Sequence, residues 1–347
     1  MQKIKKRLLS TPLFKLIAGA GGAAAGYLLG HIAALKMIDF RISVDAGSIV
    51  ISGCAVVGCA LGMIWTILHR RNFSMEQQLR RAIAKGRLQV VYQPIVNLRS
   101  EQIVGAEALA RWTDDEGNAV SPEIFIRIAE ERGFVNEIMR LVMERALDDF
   151  SEIVRLHPEI RLSVNVAAAD LSDPRLLPFL DSALKRTGVP RENLAIEITE
   201  TTAARGEAAI ETIRRLRRAG HQVHIDDFGT GYSSLSYLSD LAVDAIKIDR
   251  SFTQAIGTDS AALAILPQIL AMAKALELQV IVEGIESMRQ AVYFSTCERP
   301  VYGQGWLYGR PVPLSDFRLM LAAGQARDLD NLPAEDEPAY ALPVNAG

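Results

Sequence analysis

The sequence predicts an α/β fold: a (β/α)8 barrel preceded by a two-helix transmembrane hairpin. Three observations predict it. Two uncharged apolar runs, residues 16–35 and 46–68, lie near the start of the chain. Over residues 89–323, short apolar runs alternate with helical stretches at a spacing of roughly 30 residues, the pattern of parallel strands joined by crossover helices. Those runs carry polar residues at their carboxyl ends, where a barrel of this kind places its active site.

The two N-terminal runs are twenty and twenty-three residues long, enough to cross a hydrocarbon core of about 30 Å. Five Lys/Arg precede the first run and "HRRNF" follows the second. The ten-residue link between them carries Lys36 and Arg41, balanced by Asp39 and Asp45. The positive-inside rule then puts both ends in the cytoplasm. Residues 1–71 carry a net +7, so the rest carries −10 of the chain's formal −3. So acidic a body argues against a binder of DNA or RNA polymer, which needs a basic surface. Cys54, Cys59 and Cys297 have the spacing of neither a disulfide framework nor a zinc site.

Residues 72–88 are expected to form a juxtamembrane helix and linker, capped by Ser74 with Gln77 three residues on. The barrel follows over 89–323. Its strands read in order as "QVVYQPIV" with Gln93, "IVGAE" ending at Glu107 and "IRLSVN" ending at Asn165. Next come "LAIE" ending at Glu197, "QVHID" ending at Asp226 and "VDAIKID" with Lys247 and Asp249. "QVIVE" ends at Glu283, and "VYGQG" carries Gln304. Helical stretches such as "AAIETIRRLRRAG" and "ALAILPQILAMAKAL" lie between most of them. An open doubly wound sheet would need a glycine-rich turn after its first strand, and the body has no G-x-G-x-x-G array. Side chains alternate along a strand, so lumen-facing Asn165, Glu197 and Asp226 bring Ser163, Ala195 and a buried core His224 with them. Residues 324–347 are acidic and proline-rich without periodicity, and read as a disordered tail.

Glu107, Asn165, Glu197, Asp226, Asp227 and Glu283 therefore converge on one barrel mouth. Five carboxylates repel one another unless a cation joins them. All-oxygen ligation selects Mg2+, Mn2+ or Ca2+ over zinc or copper. Adjacent aspartates allow one to bridge two ions, the arrangement that clamps both oxygens of a phosphoryl displacement. Lys247, at the rim, would orient the attacking water or neutralise phosphate.

The same residues resemble a known family. "EALARW" (107–112) resembles the signature of the EAL-domain cyclic di-GMP phosphodiesterases. So do "YQPIV" (92–96), "SVNV" (163–166), "EITE" (197–200), "DDFGTGYSSL" (226–235), "KIDRSF" (247–252), "VEGIE" (282–286) and "QGW" (304–306). The resemblance covers about residues 76–323. It implies a modified TIM barrel, a homodimer, and hydrolysis of cyclic di-GMP to linear pGpG with Mg2+ or Mn2+, two ions in all, Ca2+ being inhibitory. Together with the hairpin, it implies a multi-pass protein of the bacterial inner membrane whose barrel faces the cytoplasm.

Residue by residue, the resemblance implies Glu107, Asn165, Glu197 and Asp226 as ligands of one ion. Asp226 and Asp227 would hold the other, with Glu283 beside them. Lys247 and Glu283 resemble the pair that positions and deprotonates water; which is the base stays open. Gln93, Arg111, Asp249, Glu286 and Gln304 resemble substrate contacts. Phe228, Gly229 and Gly231 belong to a loop beside the metals, and Glu200 resembles the residue that pins it. The chain departs from the family pattern at "TCERPVYGQGW", where Arg299 and Pro300 intrude. No metal or water-activating residue is missing, which favours an enzyme over the alternative, a catalytically inactive cyclic di-GMP receptor.

Overall fold

The computed structural model describes residues 44–203, 207–229, 241–258 and 260–324, the side chains of 44–53 and 66–74 excepted. The chain divides into two compact units, 1–81 and 82–347.

A helix spans Val44–Ala84. Position 74 therefore lies inside a helix rather than at the start of one, which corrects the separate juxtamembrane helix. The first predicted span and the 324–347 tail, Gly324 apart, lie outside the described residues. The second span falls within the long helix. Among the described residues, no helix is long and apolar enough to cross a membrane. The hairpin thus has no support from the structure.

In the second unit, eight strands close on themselves in the order β1-β9-β8-β7-β6-β5-β4-β2, and the β1–β2 pairing seals the ring. They are β1 (Gln89–Asn97), β2 (Ile103–Thr113), β4 (Arg161–Asn165), β5 (Leu194–Thr199), β6 (Gln222–Phe228), β7 (Ala245–Ile248), β8 (Gln279–Val282) and β9 (Val301–Gly303). A two-residue β3 (Ala119–Val120) pairs with the far end of β2. The strands from β4 to β9 pair in parallel, as do β2 and β4. Both faces of such a sheet are covered, so apolar residues fill both faces of a strand: Leu194, Ala195, Ile196 and Ile198 are all buried around Glu197.

One strand departs from the expected all-parallel ring. β1 runs antiparallel to both β2 and β9. Residues 98–102 link β1 to β2, too few for the dozen or so that a parallel crossover needs, so the chain must turn back as a hairpin. β2 also continues past "IVGAE" to Thr113, which puts Glu107 in mid-strand rather than at a strand end.

The crossover helices bury apolar stripes against the barrel. The helix Val135–Leu156 does so with Ile138, Met139, Val142, Met143, Ala146, Leu147 and Phe150 at helical spacing. It also clamps β1. The buried Tyr92 hydroxyl donates to Asp149, and the Tyr92 ring lies 5.1 Å from that of Phe150. Phe317, from the helix Leu314–Ala322, completes the cluster. Gln93, the next residue, is registered opposite Glu107. Arg299 and Pro300 do not prevent the last strand: Arg99 Nη2 holds the preceding loop through Cys297 O (2.6 Å), and β9 forms at Val301.

Candidate active site

The lumen-facing residues at the carboxyl ends of the strands meet as expected, with one difference at the centre. Lys247 is not at the rim. It is fully buried, and its Nζ lies 3.2 Å from Glu107 Oε2, 2.9 Å from Glu197 Oε2, 3.0 Å from Asp226 Oδ1 and 2.9 Å from Glu283 Oε1. The positive group that offsets the repelling carboxylates is thus, first of all, the protein's own ammonium. Four carboxylates raise its pKa well above the usual lysine value, overriding the opposing effect of burial.

Two amides hold the carboxylates in place. Asn165 Nδ2 donates to Glu107 Oε1 at 2.6 Å. Gln304 Nε2 donates to Glu107 Oε2 at 2.9 Å and to Glu283 Oε1 at 2.8 Å. Gln304 is buried, so the structure gives it a clamping role where the resemblance implied a substrate contact. Its position depends on the next residue. A Cβ on Gly305 would lie 2.1 Å from Ile285 O and 2.2 Å from Ile285 N, so only glycine lets the chain pass there.

Asp226 and Asp227 are consecutive, and in a regular strand they would face opposite sides. The β6–β7 register shifts between Ile225 and Phe228, and Asp227 takes a left-handed φ of 54°. This bulge brings both carboxylates to the mouth. Two groups of acids result, Glu107–Glu197–Asp226 and Asp226–Asp227–Glu283, each with ligand oxygens within 4.8 Å of one another. Asp226 belongs to both. The donor set is all oxygen, and the acids of each group approach one another closely enough to share one ion. These residues fit a hard divalent cation, and they fit a pair of them.

Glu200 is buried, and its Oε2 accepts from Gly229 N at 3.0 Å. Phe228 is buried at the end of β6. Gly231 lies outside the described residues. Asp249 caps the helix Arg250–Gln254 through Ser251 N, so part of its carboxylate is already engaged. Glu286 is exposed on the loop after β8. Arg111 lines a cavity of about 500 Å3 together with Asn165, Glu197, Asp226 and Asp227. The cavity continues over apolar Ile126, Val135, Ile138 and Met139, which no motif in the sequence marked.

Burial pushes Glu197 and Glu283 up to about 8, against the pull of Lys247. Burial acts the same way on Glu107, but Lys247, Gln304 and Asn165 outweigh it and hold this carboxyl below its usual value. Burial and the neighbouring Asp226 charge raise Asp227. Glu197 and Glu283 sit above their unfolded value of 4.5. Their protonated forms therefore stabilise the cation-free fold fully below pH 4.5, and that contribution is lost as the pH rises through about 8. A cation binding near pH 7 must displace those protons. Calorimetric titration with Mg2+ at pH 7, in buffers of different ionisation enthalpy, is expected to show release of about one to two protons per chain, and little release at pH 9. Equal heats in all buffers at pH 7 would contradict this.

Comparison with known proteins matches the sequence and the fold. The family model described as "EAL domain" matches residues 76–311. The probable cyclic di-GMP phosphodiesterase PdeB of Escherichia coli (strain K12) is 38% identical over 262 residues, 76% of this chain and 50% of that protein. The cyclic di-GMP phosphodiesterase NbdA of Pseudomonas aeruginosa is 35% identical over 257 residues, 73% of this chain and 32% of that protein. The chain therefore spans half or less of the length of these two relatives. Among solved structures, the PaMucR phosphodiesterase in complex with c-di-GMP superposes with a TM-score of 0.67 at 32% identity, covering 70% of this chain and 99% of that one.

Proposed function

The chain belongs to the EAL domain family, and from that premise we propose that it is a phosphodiesterase that uses Mg2+ or Mn2+ to hydrolyse cyclic di-GMP to linear pGpG. The observation that carries the proposal is the shared Asp226, which joins two ligand groups at one cavity. A pair of divalent cations, when bound, supplies Lewis-acid polarisation of the phosphate and acidifies water.

The chain's own residues do the rest. Glu107, Asn165, Glu197, Asp226, Asp227 and Glu283 hold the ions. Lys247 and Glu283, 2.9 Å apart, form the proton-handling pair next to them. Arg111 shares a face of β2 with Glu107 and lines the cavity, where its planar fork suits a phosphate. Gln93, Asp249 and Glu286 border the same end of the barrel and complete the substrate contacts. Glu200 holds the backbone N–H of Gly229, two residues after Asp227.

Turnover tests this reading. The full chain, incubated with cyclic di-GMP and Mg2+, is expected to release pGpG, and EDTA is expected to stop it. Tight binding of cyclic di-GMP without pGpG would instead make the protein a receptor. Ca2+ in place of Mg2+ is expected to inhibit.

The proposal includes anchoring at the bacterial inner membrane, with the barrel in the cytoplasm and the chain as a homodimer. Its support is the charge asymmetry around the two apolar runs, and the exposure of Val56, Val57, Leu61, Met63, Ile64 and Trp65 on one helix. Expressed in bacteria, the chain is expected to sediment with membranes and to resist extraction by high salt but not by detergent. Release by salt alone would sink the anchoring.

A further inference from the structure

Beneath the acid cluster, the barrel lumen carries a polar side chain with no place in the proposed chemistry. His224 stands on β6 two residues before Asp226, paired in register with Glu197 on β5. It is 3% exposed. Its Nδ1 lies 3.8 Å from Glu197 Oε1. That is longer than a hydrogen bond, yet neither atom has another hydrogen-bond partner. Two buried polar atoms that face each other unpaired are costly, and a movement of under about 1 Å would satisfy both. On the other side of the ring, Nε2 lies 3.4 Å from the Gln222 side-chain amide. An amide offers either an oxygen or an N–H, so it can accommodate the ring tautomer that puts the proton on Nδ1.

Glu197 is the acid that needs such a partner. Its Oε2 points to Lys247, on the side where Glu107 and Asp226 also meet that ammonium. Asn165 and Gln304 hold Glu107, and Gln304 holds Glu283. Glu197 has its other oxygen, Oε1, turned to His224. A carboxylate fixed at one oxygen only rotates about its own bond, and a ligand that rotates binds a cation poorly.

We propose that His224 is a positioning residue: Nδ1–H donates to Glu197 Oε1 and fixes that carboxylate with Oε2 directed to the cation site. This rests on the reading of Glu197 as a metal ligand. The histidine touches neither ion nor substrate and acts only through Glu197. The bland reading, a packed core histidine, predicts loss of stability without loss of ion affinity.

The test is Mn2+ affinity, read from the electron paramagnetic resonance signal of free Mn2+ over the full chain in detergent. His224→Leu keeps the volume but removes the donor, and His224→Asn keeps a donor where Nδ1 stood. The leucine variant is expected to bind Mn2+ at least about 10-fold more weakly, and the asparagine variant to stay within about threefold of the unmodified chain. Should the leucine variant fail to fold, His224→Gln, whose donor stands where Nε2 was, takes its place with the same expected loss. Equal affinity in the leucine and asparagine variants overturns the proposal, whatever their melting temperatures. An unmodified chain that binds no Mn2+ overturns the metal reading itself, and this inference with it.

Discussion

Replacing Asp226 by asparagine is expected to lower kcat/KM for cyclic di-GMP by about 1,000-fold or more while leaving the chain folded. Removing one preorganised electrostatic group from an active site typically costs about 100- to 1,000-fold. Asp226 is a member of both acid groups, so one substitution weakens both ion positions together. The fold has reason to tolerate it. Asp226 Oδ1 is one of four carboxylate oxygens around Lys247, and three remain. The amide keeps the shape of the side chain and an acceptor for Asp227 N. Asp227→Asn, which touches one group only, should cost less. Steady-state kinetics with saturating Mg2+ checks both, and activity of Asp226→Asn within tenfold of the unmodified chain would contradict the shared role.

The second large effect concerns stability. Lys247→Met is expected to destabilise the cation-free protein by about 3–5 kcal/mol, because it takes the ammonium from a buried Glu107 that it holds ionised and from the three other acid groups that converge on it. For a unit of this size that corresponds to a melting point lower by about 10 °C in EDTA. Mg2+ should restore part of the loss by binding the folded form alone, and should restore more in the variant than in the unmodified chain. Turnover stays low throughout, since no ammonium stands beside Glu283. A melting point unchanged in EDTA would mean that the carboxylates are neutral without the lysine, and that the electrostatic picture of the site is wrong.

Much of this site was legible in the sequence because barrel geometry is periodic. Once Glu197 and Asp226 are assigned to the lumen, alternation fixes Ala195 and His224, and all four are buried where alternation puts them. Three features escaped for physical reasons. The antiparallel β1 follows from a link too short for a crossover, a count that matters only once both strand ends are known. The sequence places Asp226 and Asp227 at one mouth, but the bulge and left-handed aspartate that bring them there run against strict alternation and have no mark in the sequence. The burial of Lys247 is a matter of depth in the lumen. A residue near the end of "VDAIKID" reads as a rim residue until the strand is seen to end at Ile248. His224 read as core and is core, but alternation along one strand says nothing about what a side chain meets from the next.

The central claim is that Asp226 joins two cation positions whose joint occupancy makes the chain a phosphodiesterase. The most direct measurement is Mn2+ bound per full-length chain, taken alongside the rate of pGpG release over the same range of Mn2+. The account predicts two ions per chain, magnetically coupled because they share one carboxylate, with turnover rising as the second ion binds. One ion per chain at full turnover, or two uncoupled ions, would contradict it.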